Sequence, residues 1–128
     1  MVNDKISDLL TKIRNANNAK HYLVQVPSTK IIKAIVEILH EEGFIQDYNV
    51  LKTTIIISLK YQGKNRKPVI SELTRISKPG LSVYCNTKNF PNLVGNLGIL
   101  IISTSQGVMT STNAKIKKMG GEILCHIY

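Results

Sequence analysis

ILIISTSQGVMTSTNAKIKKMGGEILCHIY, residues 99–128, is the stretch on which the fold turns. Ile99 to Ile102 form an unbroken apolar run, too short for a membrane helix and the right length for a strand buried on both faces. At Ser103 the chain emerges into Thr104-Ser105-Gln106-Gly107, small polar residues that suit a loop. Thr110 is placed to cap a last short helix, since its hydroxyl can accept from a free backbone N–H of the first turn. That helix carries Lys115, Lys117 and Lys118. Gly120-Gly121 then turns the chain, and Glu122 to Tyr128 alternates as a final strand with Ile123, Cys125 and Ile127 inward. Strand, short helix and strand in close succession predict an α+β fold.

The residues upstream fit the same class. Val69 to Ser77 reads as a strand, Lys78-Pro79-Gly80 as a tight turn, and Leu81 to Cys85 as the returning strand. There Leu81, Val83 and Cys85 point one way, and Ser82, Tyr84 and Asn86 the other. Pro91 opens a further short helix ending near Gly95 to Gly98. Towards the N-terminus, Asn3 or Asp4 caps a first helix whose Ile6, Leu9, Leu10 and Ile13 share one buried face. Lys12 and Arg14 close it, and Asn15 to Lys20 reads as a polar loop. Tyr22 to Val26 is a short strand stopped by Pro27. Ser28 caps a second helix with Ile31, Ile35, Ile38 and Leu39 inside, ended by Gly43. Phe44 to Val50 and Thr54 to Tyr61 are partner strands joined by Leu51-Lys52-Thr53. The polar, basic run Gln62 to Pro68 marks a subdomain boundary. The expectation is two small α+β lobes: 1–63, with two helices and about three strands, and 64–128, strand-rich with short helices.

Composition narrows the function. The chain has 128 residues, 43% of them hydrophobic, with 17 Lys+Arg against 8 Asp+Glu and a net charge of +9. So basic a chain favours a polyanionic partner. Divided after Gly63, the first part carries eight bases and six acids and the second nine and two, which places most of the positive field in the second. Two cysteines at 85 and 125 make neither a disulfide scaffold nor a zinc half-site, and a reducing compartment follows. No run approaches a membrane span, and MVNDKISDLL opens an acid-bearing amphipathic helix rather than a targeting peptide. Abundant Lys, Asn and Ile with three Arg fit an AT-rich coding genome, plastid or low-GC bacterial.

Catalysis finds no foothold. His21, His40 and His126 lie in different elements, Cys125 and His126 face opposite sides of one strand, and no GxGxxG or GxxxxGK[ST] occurs. No cofactor, metal or small-molecule substrate is implied. The distinctive feature is a cluster of hydroxyls beside glycines: Ser103, Thr104, Ser105, Gly107, Thr110, Ser111 and Thr112. Short alcohols with open backbone suit phosphates and ribose 2′-OH groups. Turn chemistry and a helix cap account for Thr110 and Gly107 without any RNA, and spacing alone leaves the two readings level.

STSQGVMTSTNAKIKKMGGEILCHIY closely resembles the C-terminal signature of the bacterial-type ribosomal protein numbered eight of the small subunit. DLLTKIRNA, VPSTKIIKAIVEILHEEGFI and RISKPGLSVY agree with the same family, so that the resemblance covers nearly the whole chain in order. It implies a structural protein of two α+β lobes that binds small-subunit ribosomal RNA early, at an irregular stem of the central domain. Its setting would be a plastid stroma or bacterial cytoplasm, with other small-subunit proteins as neighbours. By that analogy the main RNA surface comprises Ser103, Thr104, Ser105 and Gln106, with Tyr84 and the turn Gly120-Gly121-Glu122 nearby. Lys115, Lys117 and Lys118 would add attraction, and Asn3, Asp4, Arg14, Asn15, Ser28 and Lys30 secondary contacts. Gln106 stands where the family usually has Lys, Ser82 where it has Arg, and His126 and Tyr128 at usual aromatic positions. The first two lower phosphate attraction at the site. A free-standing basic regulator of messenger RNA is the alternative, separable by sedimentation with or apart from the small subunit.

Overall fold

The structure, a computed structural model, describes residues 4–78, 80–86 and 98–128. It is α+β, as expected, and divides into two compact units: Lys5–Ser71, and Glu72–Tyr128 with Asp4.

In the first unit, helix α1 (Lys5–Asn18) buries Ile6, Leu9, Leu10 and Ile13, the one-face spacing seen in the sequence. It runs on through Asn15, which had been expected in a loop, because Ala16 and Asn17 extend the buried face by another turn. Lys20, in the left-handed region at φ 57, then stops it. Strand β1 (Leu23–Pro27) leads to α2 (Lys30–Glu41). The cap of α2 is Thr29, not Ser28: the Thr29 hydroxyl accepts from the Ile32 N–H, while the Ser28 N–H donates to Thr53 O. Gly43, at φ +79, follows the helix, where its lack of a Cβ makes the turn easy. Strands β2 (Ile45–Val50) and β3 (Thr54–Leu59) complete an antiparallel sheet of order β1-β3-β2. Ile55, Ile57 and Leu59 alternate inward.

The run Gln62–Pro68, expected as a flexible boundary, instead closes a short hairpin of β4 (Tyr61–Gln62) and β5 (Lys67–Pro68) within the first unit. The electrostatics change accordingly. Lys5–Ser71 carries eleven Lys/Arg and five Asp/Glu, net +6, and the rest of the chain six and three, net +3. The excess charge expected of the C-terminal half belongs to the N-terminal unit.

In the second unit, β6 (Leu73–Arg75) and β7 (Tyr84–Cys85) are shorter than the expected strands and do not pair with each other. The Lys78–Leu81 bridge opens between them, and both pair with β10 (Gly121–Ile127), β7 at its start and β6 at its end. Strands β8 (Ile99–Thr104) and β9 (Gly107–Thr110) form a hairpin where a loop had been expected, and α3 (Ser111–Ile116) follows with Thr110 as its cap, as predicted. The path through the sheet is β6-β10-β8-β9. Leu100, Ile102, Met109, Ala114 and Ile123 form a core on one face, joined by Ile76, Val83 and Cys85. Strand β10 is buried on both faces from Ile123 to Ile127, and a bulge at Leu124 breaks the expected alternation: Ile123 pairs with Ile102 and Cys125 with the adjacent Ile101, so those two residues point to opposite faces. The Leu124 carbonyl accepts from Ile76 N–H and from Arg75 Nη1, and Arg75 Nε pairs with Asp4 at 3.2 Å. The helix expected at Pro91 lies outside the described residues. No helix among those described is long and apolar enough to cross a membrane.

Candidate nucleic-acid interface

Register brings the dispersed C-terminal candidates together. Tyr84 pairs with Glu122, Glu122 with Ser103 and Ser103 with Val108, so that one line of neighbours crosses β7, β10, β8 and β9. Three strand spacings make this line roughly 14 Å long. Adjacent strand residues point to opposite faces. Ile102 and Ile123 face the core beneath Ala114, so Ser103 and Glu122 face away from α3. Tyr84 is 71% exposed and presents its ring for stacking.

Gly120 and Gly121 make this line possible, by close approach rather than by turning. A Cβ on Gly121 would lie 2.3 Å from the Ser103 carbonyl oxygen, and one on Gly120 2.7 Å from that of Cys85. Only bare backbone lets β10 enter between β7 and β8.

Strand β8 ends in the two-residue turn Ser105-Gln106, closed by the Thr104–Gly107 pair. The Thr104 hydroxyl donates to Gly107 O at 2.9 Å and accepts from the Gln106 N–H at 3.2 Å. Thr104 therefore holds the turn, and Thr110 caps α3. Those two hydroxyls follow the turn-and-cap reading. Ser105 and Gln106 are exposed at the tip and Ser103 is half-buried; among the described residues neither serine hydroxyl is hydrogen-bonded. The line Tyr84–Glu122–Ser103 carries one acid, Glu122, and the turn beside it presents the neutral Gln106.

Lys115, Lys117 and Lys118 are exposed on and just after α3, on the helix that covers the other face of the sheet. They belong to the field around the line of neighbours rather than to the line itself. Of the N-terminal candidates, Asn3 lies outside the described residues. Asp4 is engaged by Arg75. Arg14 and Asn15 are exposed on the last turns of α1, and Lys30 opens α2. Ser28 flanks an open cleft of about 400 Å³ lined by Lys12, Gln25, Val26, Pro27, Thr53 and Thr54.

The Cys125 thiol is a poor nucleophile: burial pushes it up to about 12, against a smaller opposing pull from Arg75. No group of His, Cys, Asp and Glu able to hold a metal ion occurs among the described residues.

Comparison with known proteins matches the sequence to one family. The family described as Ribosomal protein S8 matches residues 4–128. The chain is 56% identical to small ribosomal subunit protein uS8c of Trieres chinensis and 57% identical to that of Phaeodactylum tricornutum, each over an alignment of 132 positions covering all of both chains. It is 51% identical to small ribosomal subunit protein uS8 of Nostoc punctiforme, over 98% of each chain. With a match running from the residue before α1 to Tyr128, this chain belongs to the ribosomal protein S8 family, a family of structural ribosomal proteins and not of enzymes.

Proposed function

We propose that the chain is a structural component of the small subunit of a plastid or bacterial ribosome, and that it binds the RNA of that subunit through the β7–β10–β8 face and the Ser105-Gln106 turn. The observation that carries this is the register that lines up Tyr84, Glu122 and Ser103 beside an exposed hydroxyl at Ser105. Tyr84 stacks on an unpaired base or a sugar, while Ser103 and Ser105 hydrogen-bond to 2′-hydroxyls and phosphate oxygens. The target is an irregular stem of the central domain, whose distortion opens a groove to short side chains. Lys115, Lys117 and Lys118 raise the encounter rate. Arg14, Asn15, Ser28 and Lys30 add secondary contacts, with Asn3 and Asp4 at the N-terminal end. Neighbouring small-subunit proteins are the remaining partners.

The test is binding of the purified chain to the central-domain stem. Ser105→Ala removes one buried hydrogen bond and strands its partner, a loss of about 1–2 kcal/mol, or roughly 5–30-fold in Kd. Lys117→Ala with Lys118→Ala weakens binding to every RNA alike and flattens the salt slope by about 1 per lysine. A Ser105→Ala protein that binds the stem like wild type defeats the assignment of the turn.

A further inference from the structure

The acids of this basic chain are not spread evenly. Residues 34–51 hold Glu37, Glu41, Glu42 and Asp47, half of the 8 Asp+Glu, and no Lys or Arg. They carry a formal −4 in a chain of +9, so the other residues carry +13. Lys33 and Lys52 stand just beyond the two ends of the segment. Glu41 and Glu42 sit at the last turn and the cap of α2, the negative pole of its dipole, where an acid weakens the helix and a base would strengthen it. Helix stability therefore does not explain them.

The segment folds into one surface. The sheet order β1-β3-β2 leaves β2 at an edge, opposite β1. Tyr48 pairs with the buried Ile57 and so faces α2, where its ring meets that of His40 edge to face at 5.4 Å between centres. The Tyr48 phenol is raised above its ordinary 10.0, first by burial and then by the carboxylates of Glu37, Glu41 and Asp47, so that all three acids act on one ring. Tyr48 keeps part of its surface in solvent, and Val50, on the same face of the strand, is 38% exposed. Asp47 Oδ1 accepts from the Tyr48 N–H at 2.8 Å, which takes up that edge donor and leaves recognition to side chains rather than to an added strand.

We propose that this α2–β2 surface is where a neighbouring small-subunit protein docks, through a basic segment whose arginine or lysine enters among Glu37, Glu41 and Asp47 and packs on Tyr48. The carboxylates repel a phosphodiester backbone, which turns this surface away from RNA. Proteins that share one RNA must each neutralise phosphate, so a neighbour in the subunit is expected to be basic, and the charge here is complementary to it. A guanidinium suits both partners, since its fork pairs with a carboxylate while its flat face stacks on an aromatic ring. Val50 adds apolar contact at the rim. The proposal rests on the chain being a small-subunit component, but not on the β7–β10–β8 face or the Ser105-Gln106 turn binding RNA.

The experiment reassembles particles from bacterial small-subunit RNA and proteins with this chain as the one member of its family. The chain carries the photocrosslinker p-benzoylphenylalanine in place of the exposed Asn49, and after irradiation mass spectrometry reads the attached partner. The expected product is a crosslink to another small-subunit protein, at a peptide with more Lys and Arg than Asp and Glu. Glu37→Gln, Glu41→Gln and Asp47→Asn together keep the side-chain shapes and an acceptor for the Tyr48 N–H but remove the charge. They are expected to lower the crosslink yield by roughly 5-fold or more, with affinity for isolated small-subunit RNA undiminished. Circular dichroism melts check that each variant is folded. A crosslink to RNA, to an acidic peptide or to a second copy of this chain overturns the proposal, as does a yield that survives neutralisation. Particles that take up the chain and give no crosslink overturn this proposal alone. Failure of the chain to enter the particles removes the small-subunit reading along with it.

Discussion

Gly121→Ala is the sharpest probe of the sheet on which the candidate interface is built. The backbone of Gly121 is not in the left-handed region, so alanine meets no conformational penalty there and only contact matters. The added carbon would sit 2.3 Å from the Ser103 carbonyl oxygen and 3.0 Å from Ile102 Cγ2. Ordinary contact begins at 3.4 Å, and the obstacle is strand backbone that cannot swing aside, so β10 must retreat from β8 by roughly 1 Å. A ladder hydrogen bond stretched that far is lost. One such bond at about 1 kcal/mol net, with overpacking of about 1–3 kcal/mol, gives a destabilisation of about 2–4 kcal/mol. Urea unfolding followed by circular dichroism reads it directly. Gly80→Ala, with nothing within 4 Å of its added carbon, is the control and should stay within about 0.5 kcal/mol of wild type. RNA affinity should fall too, because Ser103 and Glu122 flank the displaced backbone. A Gly121→Ala protein as stable as the Gly80→Ala control would refute the account of the glycine pair as a close-approach device.

Two further outcomes follow from buried polar groups. Ser77 is fully buried, and its hydroxyl accepts from the Val83 N–H at 2.8 Å while donating to the Val83 carbonyl. Ser77→Ala leaves that N–H without its partner and should cost about 1–3 kcal/mol in the same unfolding assay. Cys125 links stability to high pH. Its folded thiol, held near 12 against an ordinary 9.0, keeps a proton that the unfolded chain releases, so stability is intact below about pH 9 and falls as pH rises from there towards 12. The slope approaches about 1.4 kcal/mol per pH unit, and Cys125→Ala should remove it.

Helices and inward strand faces were legible because their signals are local. Ile6, Leu9, Leu10 and Ile13 recur at helical spacing, and Ile55, Ile57 and Leu59 alternate, whatever they pack against. The Thr110 cap was legible for the same reason. Ser28 and Thr29 are both capping residues in sequence, and only the Ser28–Thr53 backbone bond shows which stands outside the helix. The β8–β9 turn was hidden because Thr104, not a glycine or asparagine at its centre, stitches it together. The basic run at 64–67 was visible as charge, but not as structure: the pairing of Tyr61 with Pro68 and the reach of Lys20 to Asn65 are contacts between distant residues.

By itself the sequence determined the α+β class, the apolar faces and, through four separated blocks, the family. These depend on residue type and on periods of two and 3.6, which neighbours along the chain already express. Only the tertiary structure decided that Tyr84, Glu122 and Ser103 share one line, that Gly120 and Gly121 serve strand approach, and that the basic hairpin belongs to the N-terminal unit. Register and close approach are properties of pairs of segments. A single strand's pattern reveals which of its faces is buried, but not which residue of which partner lies opposite.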